Sequence, residues 1–279
     1  MAQNTDGDDS RAFDLENSLL WKIEGNDIET SYLYGTLHLL PLKDFIITDK
    51  VLTAFELADQ IVLELDMDDP AFQTEILQEV KRKDNATLYN SLSEEDYKKL
   101  DQLLVSSYGA GVQYFNSWHP AMVGTFLIKN YIEGESASFE VSFVKMADEK
   151  NKEIFGLETP EEQLAIFDEI PYEEQIDGLE RMIRNEEQVK KSYDNLISLY
   201  KQEKIDPLYN FVVEYYGNPE TVEKLLKQRN KKWIPKFKSF SSNSATFYAV
   251  GAGHLSGKYG VINLLRKEGY KVSPVFKRQ

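Results

Sequence analysis

The sequence predicts an α/β fold of the α+β kind, with a mixed central sheet drawn from both ends of the chain and large helical insertions between them. Three observations carry this expectation. Short apolar segments bounded by turn residues lie near the N-terminus and again near the C-terminus. Helical periodicity governs the stretch between them. A G-x-x-H motif closes one strand in each group, as Gly35-Thr36-Leu37-His38 and Gly251-Ala252-Gly253-His254.

Taken in order, residues 1–17 read as a disordered leader rich in Asp, Asn and Ser, followed by a single domain over 18–279 with a helical insertion at 67–235. Segments 18–24 and 31–37 are candidate strands joined through Gly25-Asn26-Asp27. After Pro41, residues 50–57 have the pattern of a short helix and 60–65 that of a buried strand. This β-β-α-β opening is the start of an α/β fold. Residues 152–157 and 245–250 are further strand candidates, 257–268 a helix stopped by Gly269, and 270–276 a last strand. Between them, 69–83, 93–108, 120–131, 208–216 and 220–229 have helical spacing, and Ser93-Glu94-Glu95-Asp96 has the form of a capping box. Ile176, Leu179, Ile183, Val189, Leu196, Ile197 and Tyr200 recur at steps that fit one helix face.

Composition excludes several classes. A chain of 279 residues, 42% hydrophobic and 12% aromatic, can build a core and is not intrinsically disordered. With 32 Lys and Arg against 47 Asp and Glu, the formal charge is −15. A surface of that sign is expected to repel nucleic acid and anionic membranes. There is no cysteine, so a metal site must use His, Asp, Glu, carbonyl or water ligands. No run approaches the roughly 18 apolar residues of a membrane span, so no stable membrane insertion is expected. The opening MAQNTDGDDSRAFDLEN is too polar for a signal peptide; it reads as a mature N-terminus whose signal peptide has been removed.

Both His38 and His254 follow an apolar strand, where open α/β sheets bind their ligands. One such motif is a weak signal; two, using two of the three histidines, point to a shared site. His119, before Pro120, reads as structural. Glu64 lies in the apolar run 61–66, where strand alternation would put it on the same face as Asp66. An ionised group there is costly unless paired or metal-bound. Glu158 closes the strand before Thr159-Pro160, where a salt bridge or a helix-start contact is the plainer role. Two imidazoles and a carboxylate match a hydrolytic metal centre, and a second carboxylate could move the proton of the attacking water. Arg229 could stabilise an oxyanion, although the residues alone favour one more solvated cation at a basic helix end.

These segments resemble the TraB/GumN family, which includes the Tiki proteins and bacterial pheromone-shutdown proteins. The resemblance runs from Leu20 to Val275 and is carried by Leu20-Trp21-Lys22-Ile23, the two G-x-x-H motifs, Leu63-Glu64-Leu65-Asp66, Gly156-Leu157-Glu158-Thr159 and Arg229-Asn230. It implies a mixed sheet with a helical cover, like the erythromycin-esterase and ChaN-like folds. It further implies a metalloprotease of peptide or protein substrates, supported by Mn2+ or Co2+. His38 and His254 correspond to the motif histidines, Glu64 and Glu158 to the acidic positions, and Arg229 to the arginine. Ligand and general base stay undistinguished between the two carboxylates. A periplasmic or extracellular bacterial protein is expected. The competing expectations are a peptide- or haem-binding protein without turnover, with Tyr34, Tyr248 and Tyr259 near the motifs, and a hydrolase of non-peptide esters.

Overall fold

A computed structural model describes residues 15–276. Most of the expected leader falls outside these residues; Leu15, within them, is buried. The strands among the described residues are β1 (Leu20–Gly25), β2 (Ile28–Thr36), β3 (Leu40–Pro41), β4 (Gln60–Leu63), β5 (Ser136–Ala137), β6 (Ile154–Gly156), β7 (Thr246–Gly251) and β8 (Lys271–Pro274). β3 and β5 form a two-stranded ladder. The other six make one sheet in the order β6-β4-β7-β2-β1-β8.

The sheet is mixed, and its mixture places the site. β6, β4, β7 and β2 run parallel to one another, whereas β1 is antiparallel to both β2 and β8. Four adjacent strands therefore end at the same edge. β7, from the last part of the chain, lies between β2 and β4, pairing Gly35 with Val250 and Thr36 with Gly251. The two G-x-x-H loops are thus side by side.

β7 is covered on both faces, which explains its nearly continuous apolar sequence. Successive side chains point oppositely. Phe247 packs with Phe55, Phe143 and Tyr34 on one face, while Tyr248 stacks on Phe237 at 4.0 Å on the other. Phe237 belongs to the helix Arg229–Ser241. A separate cluster that includes Leu100, Trp118, Leu127, Leu179 and Met182 is the core of the helical region between the sheet strands.

Several boundaries move. β4 stops at Leu63, so strand alternation does not extend to Glu64 and Asp66. Ser93 caps its helix by accepting from the Asp96 amide at 3.1 Å, while the Asp96 carboxylate accepts from Ser93 Oγ at 2.5 Å and Arg184 Nη2 at 2.6 Å. The last expected helix begins later, at Val261, after a 3-10 turn at Ala252–His254. The segment 220–229 becomes a short α-helix, then one π-helical turn at Glu223–Gln228, then the helix beginning at Arg229.

Candidate active site

Each parallel strand delivers one residue to the common edge. His38 lies two residues past β2, Glu64 one past β4, Glu158 two past β6 and His254 three past β7. The glycines explain how closely the loops approach. A Cβ on Gly35 would lie 2.6 Å from Leu255 Cδ1 and 3.1 Å from the Ala252 backbone, so only glycine lets the first loop rest on the second. A Cβ on Gly251 would lie 3.4 Å from Glu64 Oε1, 3.6 Å from His254 Cδ2 and 3.8 Å from His38 Nε2. Three predicted site residues therefore converge on the space above Gly251.

Arg229 occupies the centre of the cluster. Its Nη2 donates to Glu64 Oε2 and Glu158 Oε1, both at 2.5 Å, and its Nε donates to Glu158 Oε1 at 3.0 Å. Nη1 donates to His254 Nε2 at 3.1 Å and to the Leu225 carbonyl at 3.3 Å. The guanidinium also packs on the Trp233 ring, 4.8 Å from its centroid. The reading as a solvated cation is overturned: Arg229 is buried between two carboxylates, where its charge offsets theirs.

Other side chains hold this arrangement. Trp233 Nε1 donates to Glu158 Oε2 at 3.2 Å, and Gln163 Nε2 donates to Glu158 Oε1 at 2.8 Å and Glu64 Oε2 at 3.2 Å. Glu64 Oε1 accepts from the Gly251 amide at 2.7 Å. His254 Nδ1 donates to Asn230 Oδ1 at 2.6 Å, and His38 Nδ1 donates to Glu140 Oε1 at 3.1 Å. Glu140 also accepts from Thr36 and Ser138 at 2.6 and 2.7 Å. Both imidazoles thus keep Nδ1 protonated and turn Nε2 toward the site, the orientation that outer partners impose on metal-binding histidines. Glu140, Gln163 and Trp233 were not singled out as site residues from the sequence, and Asn230 entered only through the Arg229-Asn230 segment of the family resemblance.

The electrostatics follow from these neighbours. Burial opposes ionisation of Glu64, but Arg229 and the two histidines override it and hold its carboxyl well below the usual range. Burial and the adjacent Arg229 depress His254 to about 3, so this ring is neutral at ordinary pH. At His38 the surrounding walls disfavour the charged form, yet Glu140 prevails and raises the imidazole. That ring is itself 71% exposed to solvent, so water screens its pairing with Glu140.

The donor set fits a divalent cation in kind: two outward-turned Nε2 atoms and one carboxylate oxygen, with no thiolate. As placed, however, no three His, Asp or Glu side chains among the described residues stand close enough to hold a metal ion. Arg229 caps the His254 lone pair, and Glu64 Oε1 lies 4.0 Å from His254 Nε2. Glu158 is turned to Arg229 and Trp233, so its oxygens face the guanidinium.

His38 also lines an apolar cleft of about 370 Å³ beneath the helical region, walled by Gly124, Met182, Leu196, Phe211 and Tyr215 among others. The remaining candidates lie apart. Asp66 meets Asp68 and Asp69, and burial together with these carboxylates raises it to about 7. His119 is buried at a helix N-terminus, 3.5 Å from Asp168, and its burial lowers its pKa. Tyr34 and Tyr248 are packed in the core, bonded to Tyr200 and Ser241.

A mixed sheet whose parallel strands bring two imidazoles and two carboxylates to one cleft, where a helix adds a guanidinium, defines an α/β protein with a composite ionic site. The chain belongs to the TraB/PrgY/gumN family, whose sequence profile matches residues 19–274. It is also similar to the zebrafish (Danio rerio) metalloprotease TIKI2, with 20% identity over 314 aligned positions covering 92% of this chain. The chain spans 60% of the length of that relative. Among the described residues no helix is long and apolar enough to cross a membrane.

Proposed function

We propose that this protein is a metal-dependent peptidase acting on extended peptide segments. The observation that carries the reading is the convergence of His38 Nε2, His254 and Glu64 Oε1 around Gly251, with each imidazole fixed by a second-layer acceptor. These three residues would hold the cation, Mn2+ or Co2+ by family resemblance. When bound, such an ion supplies a Lewis acid and lowers the pKa of a water ligand. Glu158 would not be a ligand; its bonds to Arg229 Nε and Nη2 aim the guanidinium. Arg229 would leave the His254 lone pair on loading and offer Nη1 to the oxyanion of the tetrahedral intermediate. The apolar cleft beside His38 would receive the peptide, excluding water from its flanks.

The test is peptide cleavage followed by mass spectrometry, with Mn2+ or with EDTA, for the wild type and His254→Ala. Cleavage that requires both the ion and His254 is expected. Cleavage that survives EDTA and the substitution would refute the assignment. A second reading, peptide binding without turnover, rests on the same apolar cleft; saturable binding with no product under any metal would select it.

A further inference from the structure

The formal charge of −15 is unevenly spread. Segments 223–238 and 258–271 hold eleven of the 32 Lys and Arg but only two of the 47 Asp and Glu, and their helices, Arg229–Ser241 and Val261–Lys267, pack on each other. At this junction four ammonium groups surround one ring. The Nζ atoms of Lys227, Lys231, Lys267 and Lys258 lie 4.6, 5.0, 5.7 and 5.8 Å from the Tyr259 ring centroid. Lys231, Lys258 and Lys267 are exposed, and Tyr259 is half-buried. Lys227 pairs with Glu223 at 2.8 Å. Among the described residues no carboxylate lies within ion-pair reach of the other three; the neighbouring lysine pairs, Lys224 with Glu169 and Lys271 with Glu24, lie outside the ring of four.

We propose that this face docks the protein peripherally on an anionic phospholipid surface. Like charges gathered without counterions create a local field that favours an anionic partner. Lysines on flexible stems act as point charges suited to a diffuse array of headgroups, whereas a peptide carboxylate is matched better by the arginine fork. The central tyrosine has the amphipathic character that settles at headgroup level. The acidic remainder does not cancel the attraction. The screening length at physiological salt is about 8 Å, whereas a folded chain of this length has a radius of gyration of about 19 Å, so carboxylates on the far side are screened. The expectation that the net charge repels membranes thus gives way to its distribution. The face also adjoins the candidate site: Asn230, which fixes His254, donates to the Tyr259 carbonyl at 2.8 Å.

The test is co-sedimentation of the full chain with phosphatidylcholine vesicles, with and without phosphatidylserine, at about 0.15 M salt. Each lysine near an anionic surface contributes roughly a factor of five in partitioning. The double variant Lys231→Ala/Lys258→Ala should therefore bind phosphatidylserine vesicles roughly 30-fold more weakly, with an unchanged melting profile. The control Lys145→Ala/Lys191→Ala should bind as the wild type does, and binding should collapse at high salt. No binding to anionic vesicles, equal binding to neutral ones, or equal loss in the control would overturn the proposal. Capture of a polyglutamate peptide without vesicle binding would overturn it in favour of an acidic protein partner. None of these outcomes depends on peptidase activity.

Discussion

Replacing Arg229 with glutamine tests the centre of the site by stability alone. Its side chain is 10% exposed, and those of Glu64 and Glu158 are 11% and 5% exposed. Removing one partner from a buried ion pair costs about 3–5 kcal/mol, because the other charge is left uncompensated. That is a large part of the 5–15 kcal/mol typical of a folded protein. The pH dependence gives a sharper signature. In the wild type, the folded pKa of Glu64 is depressed, so its stabilisation is present above the unfolded carboxylate value, near 4.3, and is lost as pH falls through the lower folded value. Without Arg229, burial instead raises the Glu64 pKa, and protonation relieves the variant as pH falls from neutral. The gap between the two proteins should therefore be widest near neutral pH and narrow toward pH 4. Urea unfolding across this range, in EDTA, measures it, with exposed Lys232→Gln on the same helix as a control expected within about 0.5 kcal/mol of wild type. A loss below about 1 kcal/mol, or a gap that ignores pH, would refute the account of Arg229 as the buried counterion.

Three further outcomes are expected. Because Glu140 raises the folded pKa of His38, the pair's contribution to stability is present below the unfolded histidine value, near 6.5, and lost as pH rises through the higher folded value. Glu140→Gln should flatten that dependence in urea melts. Metal uptake by His38 must displace its proton, so Mn2+ titrations in buffers of different ionisation enthalpy should report proton release near neutral pH, abolished in His38→Ala. In Gly251→Ala the new methyl makes ordinary contacts at 3.4–3.8 Å with Glu64, His254 and His38. The fold should survive with less than about 1 kcal/mol of loss, while Mn2+ affinity measured by calorimetry should fall at least roughly tenfold because the methyl fills the space between the donors.

The six strands of the main sheet were legible because apolar runs and turn residues are local signals. The repeated Gly and His positions pointed to a shared site, but the meeting of the two loops depends on the pairing of β2 with β7, and the short β3–β5 ladder left no pattern. Glu140 was not legible, because it serves a histidine from a distant helix and has an unremarkable sequence neighbourhood. Asn230 stands in a segment that carries the resemblance, but nothing local shows that its amide oxygen accepts from His254. Ser138 before Glu140 does mark a helix start, a signal that locates the carboxylate without revealing its partner. Arg229 misleads for a different reason. It sits among Lys227, Lys231 and Lys232, and only the fold distinguishes the buried cation from the solvated ones. The π-helical turn before it leaves no compositional trace, yet Leu225, within that turn, is the carbonyl that Arg229 Nη1 contacts.

The position of β7 has a consequence for how the chain acquires any activity. This strand fills the gap between β2 and β4 but is made only after almost nine-tenths of the chain. A nascent chain emerging from the ribosome carries His38, Glu64, Glu158 and Arg229 while the middle of its sheet is still missing. Pairings this distant in sequence close slowly, so the helical region with its separate core can organise first. The last histidine and the strand that fills the middle of the sheet arrive together, and a product truncated before β7 would have neither a continuous sheet nor a finished site.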